Sequence, residues 1–143
     1  MKIKQLSIFL ENKKGRLWKA LNTLAEGDIN IRALSIADTS EFGILRIIIK
    51  DPITAKELLE KNNFIVKTID IVGVELDDTP GGLSNVLKIL NDEDINLEYI
   101  YAFTHEKTEK AILLLQAENL DLLIDTLNKH EIAIVPPEDI YNL

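Results

Sequence analysis

The stretch Gly81-Gly82-Leu83-Ser84-Asn85-Val86-Leu87-Lys88-Ile89-Leu90-Asn91-Asp92-Glu93-Asp94-Ile95-Asn96 decides how this chain is read, because residues 15–30 say nearly the same thing. Gly15, Leu17, Leu21, Leu24, Asp28, Ile29 and Asn30 recur, without a gap, as Gly81, Leu83, Leu87, Leu90, Asp94, Ile95 and Asn96, 66 residues further on. Each copy is a glycine-bearing turn, an amphipathic helix and an Asp-Ile-Asn exit. Leu17, Ala20, Leu21 and Leu24 stand at i, i+3, i+4 and i+7, one face of a helix. The repeat is too long for a solenoid unit and suits a small subdomain.

Outward from that core, Ile3 to Leu10 is dense in strand formers, and Glu11-Asn12-Lys13-Lys14-Gly15 is a polar turn. Gly27-Asp28 ends the first helix, with glycine expected in the left-handed cap. Ile29 to Ala37 and Ile44 to Lys50 read as strands joined by Asp38-Thr39-Ser40-Glu41-Phe42-Gly43. Asp51-Pro52 opens a second helix, with Ala55, Leu58 and Leu59 on its apolar face. Asn62-Asn63 stops it, and a strand starts at Phe64. The second pass matches: strand Ile69 to Leu76, helix Pro80 to Asn91, and strands Leu97 to Thr104 and Lys110 to Ala117. A helix carrying Leu120, Leu123, Ile124 and Leu127 follows, then a last strand, Ile132 to Val135, halted by Pro136-Pro137. Each half is strand-helix-strand-strand-helix-strand. Right-handed crossovers build this into an α+β, ferredoxin-like βαββαβ subdomain, an antiparallel sheet with both helices on one face. The expected boundaries are 1–68 and 69–143, fused without a flexible linker.

Composition narrows the function. With 143 residues, 24 acidic side chains against 16 basic ones and a formal charge of −8, the chain repels phosphate backbones and anionic lipid. No nucleic-acid or membrane partner is expected. No apolar run is long enough to span a bilayer, and Met1-Lys2-Ile3-Lys4 leads into a strand without a signal-peptide pattern. Zero cysteines exclude disulfides, thiolate metal sites and cysteine nucleophiles, and the cytoplasm is the expected compartment. His105 and His130 are the only histidines, without ligand spacing to a carboxylate pair, and read as solvated. No nucleophile elbow, dinucleotide fingerprint or phosphate loop occurs. An acylphosphatase-like use of Arg16 and Asn30 is the one enzyme reading the fold leaves open. The expectation is no catalytic residues, no metal and no cofactor.

The turns before the first helix of each half carry the chemistry. In Asp77-Asp78-Thr79-Pro80-Gly81-Gly82-Leu83, Thr79 is a good N-cap and Pro80 a good first helical residue. Gly81 and Gly82 allow close approach of another molecule, and unpaired N–H groups at a helix start attract a carboxylate. The simplest alternative is helix capping alone. Asp78-Thr79-Pro80-Gly81-Gly82-Leu83 followed by Asp94-Ile95-Asn96-Leu97 resembles the Asp-x-Pro-Gly-x-Leu and Ile-Asn pattern of the ACT domain. Asn12-Lys13-Lys14-Gly15-Arg16-Leu17 followed by Asp28-Ile29-Asn30-Ile31 is a looser match, with Lys14 where that family has proline. The resemblance spans the whole chain as a tandem pair with no enzyme attached. It implies a regulatory protein that binds an amino acid between two such domains. The turn of one domain and the Asn-led strand of its neighbour supply the contacts. Carried over, these are Asn12, Lys14, Gly15, Arg16, Leu17, Asn30 and Ile31, with Asp78, Gly81, Leu83, Asn96 and Leu97. The alternative is a regulatory subunit that docks onto an amino-acid biosynthetic enzyme such as acetolactate synthase, without a ligand response of its own.

The copies differ chemically. Lys13, Lys14 and Arg16 make the first turn basic, an anchor for an α-carboxylate or simply a solvated surface; Asp77 and Asp78 make the second acidic. Tyr99, Tyr101 and Phe103 alternate on one face of their strand, where the first half has Ala33, Ser35 and Ala37. That aromatic face reads as a sheet-packing surface, in a homodimer or within the chain. A tyrosine lining the ligand pocket and base stacking are alternatives, and the net charge opposes the second. One composite site, or one working site beside a scaffolding copy, is favoured over two identical sites.

Overall fold

The computed structural model describes residues 1–38, 41–104 and 110–142. The chain forms two compact units. The first holds Lys4–Ile69 with Tyr141–Leu143, the second Met1–Ile3 with Asp70–Ile140.

In the first unit the elements run β1 (Ile3–Glu11), α1 (Arg16–Glu26), β2 (Ile31–Asp38), β3 (Phe42–Ile49), α2 (Pro52–Lys61) and β4 (Ile65–Asp77). Its strand order is β2-β3-β1-β4, with β3 antiparallel to both neighbours. Leu6, Ile8 and Leu10 from β1 and Leu45, Ile47 and Ile49 from β3 pack under Ala20 and Leu24 of α1 and Ala55 and Leu59 of α2. These positions alternate along the strands and recur every three or four residues along the helices, which puts both helices on one face of the sheet. In the second unit, α3 (Gly82–Asp92), β5 (Leu97–Thr104), β6 (Lys110–Ala117) and α4 (Leu120–Lys129) follow β4. The order there is β4-β6-β5, again antiparallel. Val72, Val74, Leu113 and Leu115 pack under Val86, Leu90, Leu123 and Leu127. The first unit is the expected βαββαβ sandwich and the second keeps its βαββα part, both α+β in class.

Several elements differ from the sequence reading. The strands predicted from Phe64 and from Ile69 are one continuous β4 of 13 residues. Nothing between Ile65 and Asp77 interrupts it: there is no proline, and Gly73 is the single glycine. The last predicted strand, Ile132 to Val135, is reduced to one bridge between Val74 and Ile134. Glu75 N donates to Ala133 O at 3.0 Å and Val135 N to Gly73 O at 2.8 Å. Pro136 and Pro137 lack the N–H that would extend the ladder. Pro137 instead starts α5 (Pro137–Tyr141), a short helix the periodicity did not reveal. In the second unit Ile140 is buried against Gly73, where a Cβ would lie 2.9 Å from Ile140 Cδ1. In the first unit Tyr141 Oη accepts from Lys4 N at 2.9 Å and its carbonyl from Arg32 Nε at 3.1 Å.

All four long helices end alike. Asp28, Asn63, Asp94 and Glu131 adopt left-handed backbone at φ 58°, 67°, 58° and 57°. The next residue's N–H reaches back five positions: Ile29 to Leu24, Phe64 to Leu59, Ile95 to Leu90, and Ile132 to Leu127. This is the Schellman motif, with an apolar residue after the cap closing onto the helix. The Asp-Ile of the repeated exit is therefore a helix stop. The left-handed residue is Asp28 and not Gly27, whose φ is −84°. Gly27 serves packing instead: a Cβ there would stand 2.4 Å from Leu58 Cδ2 of α2. His105 lies outside the described residues. His130 is exposed, as expected, with its Nε2 3.0 Å from Glu93 Oε1.

Left-handed backbone is costly for a side chain with a Cβ, and among the described residues the Glu131 side chain makes no hydrogen bond that would offset it. Glu131→Gly is expected to stabilise the protein by about 0.5–1 kcal/mol, read as a higher urea midpoint at unchanged slope. A lower midpoint would show that the Glu131 side chain matters for another reason.

Candidate functional site

The two strand-to-helix turns share one backbone. Arg16 N donates to Lys13 O at 3.3 Å and Gly82 N to Thr79 O at 3.0 Å. Gly15 at φ 88°, ψ −7° and Gly81 at φ 89°, ψ −9° take the third position, the geometry of a type II turn. Each glycine is also the N-cap, and neither helix has a side-chain cap bond or an acidic residue in its first turn. Thr79 and Pro80 are thus turn residues, not the cap and first helical position. By contrast, Asp51 caps α2 by accepting from Thr54 N, and Asn119 caps α4 by accepting from Leu122 N, both at 3.1 Å. Unfilled donors at a helix start favour an anion, so α1 and α3 are open where α2 and α4 are closed.

In the first unit a cleft of about 170 Å³ lies at this turn. Asn12, Lys13, Arg16 and Leu17 line it with Ile36, Asp38 and Gly43. Leu17 follows the apolar period of α1 yet is 37% exposed, so its side chain is given to the cleft and not to the core. Asn12 N donates to Glu41 O at 3.1 Å, tying the turn to the approach to β3. Lys13 Nζ is 2.9 Å from Glu11 Oε2, which cancels part of the predicted basic charge. Lys14 is exposed and unpaired. Arg16 is half-buried, its guanidinium 4.6 Å above the Phe64 ring centre and its Nε sealed without an acceptor. Asn30 and Ile31 stand at the far end of β2 from this turn, because β2 runs parallel to β1 beyond β3. Asn30 is exposed there, while Ile31 packs against the core. One unit alone does not bring the turn and the Asn-led strand together.

In the second unit Asp78, Gly81 and Leu83 are exposed at their turn. Asp77 is ion-paired with Lys110, so the acidic turn is partly neutralised. Gly82 serves the fold rather than a visiting molecule, since a Cβ there would stand 2.3 Å from Asp77 O. Asn96 lines a separate cleft of about 320 Å³ with Asp94, Glu118 and Asn119, and Leu97 packs on the core. Tyr99, Tyr101 and Phe103 do share a face, opposite Gln116, Leu114 and Ile112, and are half-buried. Sequence reasoning missed Ile36 and Asp38. Their signal was the apolar pair Leu34 and Ile36 on the helix side of an edge strand, 50% and 41% exposed.

A family model for the ACT domain pair matches residues 1–143. The chain belongs to the ACT domain pair family. ACT domains are regulatory modules. Protein BT0572 from Bacteroides thetaiotaomicron is similar at 40% identity and TM-score 0.93, over 100% of this chain and 98% of that one. The regulatory subunits of aspartate kinase from Thermus thermophilus (ligand-free) and Thermus flavus share the fold at 16% and 20% identity, with TM-scores of 0.59 and 0.62. Each comparison covers 88% of this ACT pair and 90% of the subunit. No curated relative matches the chain. Among the described residues no cluster of three or more acidic or histidine side chains is placed to hold a metal, and no helix is long and apolar enough to cross a membrane.

Pro80 holds in the second turn the place that Lys14 holds in the first. Lys14→Pro is expected to raise stability by about 0.4–1 kcal/mol by restricting the unfolded chain; a loss would mean that Lys14 does not adopt the backbone of Pro80. A second prediction concerns pH. The Glu11 carboxyl is held below its usual range by the hydrogen bond from Lys13 and by that residue's charge, and the Glu93 carboxyl by hydrogen bonds from His130 and Lys129. A carboxyl depressed in the folded state adds stability above its unfolded pKa, and that contribution is lost as pH falls through the folded value. The urea midpoint is therefore expected to fall below about pH 4, with a shallower decline in Glu11→Gln and Glu93→Gln. Identical profiles for the variants and the parent would refute the assignment.

Proposed function

We propose that this ACT pair is a non-catalytic, cytoplasmic regulatory protein that binds a small amino acid at the β1–α1 turn of its first unit. The observation that carries this reading is the helix start at Gly15, left open by the backbone and flanked by Lys14 and Arg16. The N–H groups of the first helical turn and the Arg16 guanidinium suit an α-carboxylate. Asp38, at the end of β2 in the same cleft, suits the ammonium. Leu17 and Ile36 offer apolar contact to a side chain.

Asn30 and Ile31 lie a strand's length from that turn, so a neighbouring ACT domain, in a second copy of this chain, supplies the Asn-led strand. β2 is an edge strand bearing exposed Leu34 and Ile36, beside exposed Leu17 on α1. Such an edge is a ready surface for a second chain. The aromatic face of Tyr99, Tyr101 and Phe103 offers a further contact for a homodimer. At the second turn Asp78, Gly81, Leu83, Asn96 and Leu97 serve as the weaker or scaffolding copy, because the turn is acidic and its one nearby cation among the described residues, Lys110, is taken by Asp77. Domains 1–68 and 69–143 then correspond to the sensing and supporting halves.

Docking onto an amino-acid biosynthetic enzyme is favoured by one observation. Trp18 is 67% exposed on the outer face of α1, where it serves neither the core nor the turn. Large aromatic side chains at the surface anchor protein contacts.

A thermal-shift panel of the twenty amino acids tests the leading reading. At least one is expected to stabilise the protein, by about 2.7 kcal/mol at a hundred times its dissociation constant. Arg16→Ala is expected to abolish the shift and Asp78→Ala, at an exposed position of the second turn, to leave it. A flat panel for a well-folded dimer would reject amino-acid sensing and leave the docking role.

A further inference from the structure

On the other side of Arg16 the first unit holds a second and larger cleft, of about 410 Å³. Phe9, Leu10, Phe42 and Ile65 form its walls, Arg16 and Lys67 add two cations, and Glu11 and Asn63 complete it. The second unit has a cleft at the corresponding place, of about 370 Å³. The correspondence follows from the repeat and the ladders. Glu75 and Asp77 replace Phe9 and Glu11, and Gly82 replaces Arg16. Glu11 pairs with Phe42 across β1 and β3 where Asp77 pairs with Lys110 across β4 and β6. Glu131, the cap residue matching Asn63, and Ala133, two positions on, replace Asn63 and Ile65.

One backbone thus frames two different environments. In the second unit Leu76, Val86 and Ile132 line the cleft beside Glu75, Asp77, Glu131 and Lys110, without an aromatic ring, and Lys110 is bound to Asp77. In the first, Phe42 and Ile65 are 44% and 67% exposed, apolar surface that water solvates poorly. The cations there are held on aromatic rings. Arg16 lies over Phe64, and Lys67 Nζ lies 5.8 Å from the Phe9 ring centre. Neither is ion-paired with a described carboxylate, and Arg16 Nε is buried without an acceptor. The nearby carboxylate, Glu11, is committed to Lys13. Aromatic walls beside two positioned and unneutralised cations favour an anion that carries an apolar group.

We propose that this cleft binds a carboxylate bearing a bulky aromatic or branched aliphatic group. The apolar group lies against Phe9, Phe42 and Ile65, and the carboxylate lies between Arg16 and Lys67. No ammonium is required, because no free carboxylate faces this cleft. The site shares Arg16 with the amino-acid site at the turn but takes its apolar walls and second cation from other residues, and it stands whether or not that site binds. Its residues Phe9, Phe42, Ile65 and Lys67 do not line the turn cleft.

The test is titration of the full chain with 3-phenylpropionate, L-phenylalanine and acetate, followed by calorimetry and backbone amide spectra. Saturable binding of 3-phenylpropionate is expected, with amide shifts at Phe9, Phe42, Ile65 and Lys67 and no response to acetate. Phe42→Lys, which installs the residue of the second cleft, is expected to weaken binding about tenfold or more. Phe42 is half-exposed, so this variant is expected to fold; Lys67→Gln, at an exposed position, gives an independent loss of affinity. Three results would overturn the proposal. One is acetate binding as well as 3-phenylpropionate. Another is shifts confined to Asn12–Leu17. The third is a change of Phe42→Lys in oligomeric mass alone, with binding intact, which would make this face a contact between copies. Binding of L-phenylalanine at the turn with none of 3-phenylpropionate would spare the amino-acid reading and reject this one.

Discussion

Left-handed backbone at Gly15 and at Gly81 is the constraint on which the rest of each unit depends. At φ near 90° a Cβ is strained, so only glycine passes the chain from the first strand into the first helix at this angle. The same geometry leaves no residue in position to cap the helix with its side chain. A turn that fixes the path of α1 therefore also leaves its first N–H groups open. Structure and candidate function have a common origin in one backbone torsion. The helix exits follow the same economy, with four left-handed residues closing four helices by the same pair of hydrogen bonds.

Around these fixed points the chemistry of the copies has diverged. The backbone angles of the two turns agree to within a degree or two, yet Arg16 stands where the second copy has Gly82. The exchange is physically permitted in one direction only. The second turn folds so closely onto Asp77 O that a side chain at Gly82 would collide, whereas the first leaves room for a guanidinium stacked on Phe64. The aromatic and cationic cleft of the first unit and the ion-paired cleft of the second descend from that difference and from Phe42 against Lys110. Charge read from sequence overstated the contrast, since Lys13 is paired with Glu11 and Asp77 with Lys110.

Much of the fold was legible because it is periodic or local. Helix faces at Ala20, Leu24, Leu123 and Leu127 and alternation along β1 and β6 are visible to anyone who counts residues. Less of the candidate site was. Leu17 obeys the helical period and would be assigned to the core; its exposure depends on β2 lying at the edge of the sheet, with nothing beyond it in the unit. Gly27 looked like a left-handed cap, but its role is set by Leu58, distant in sequence. Ile132 to Val135 has strand composition, yet forms one bridge because the two prolines after it withhold their N–H groups.

By itself the sequence determined the duplicated α+β architecture, the family and the position of the two turns, because these rest on spacing and on glycine, which act locally. Tertiary structure alone decided which charges remain free, which apolar residues face water, and that Arg16 sits between two clefts while Asn30 lies at the far end of its sheet. Those properties depend on distances between residues remote in sequence, and no local pattern records them.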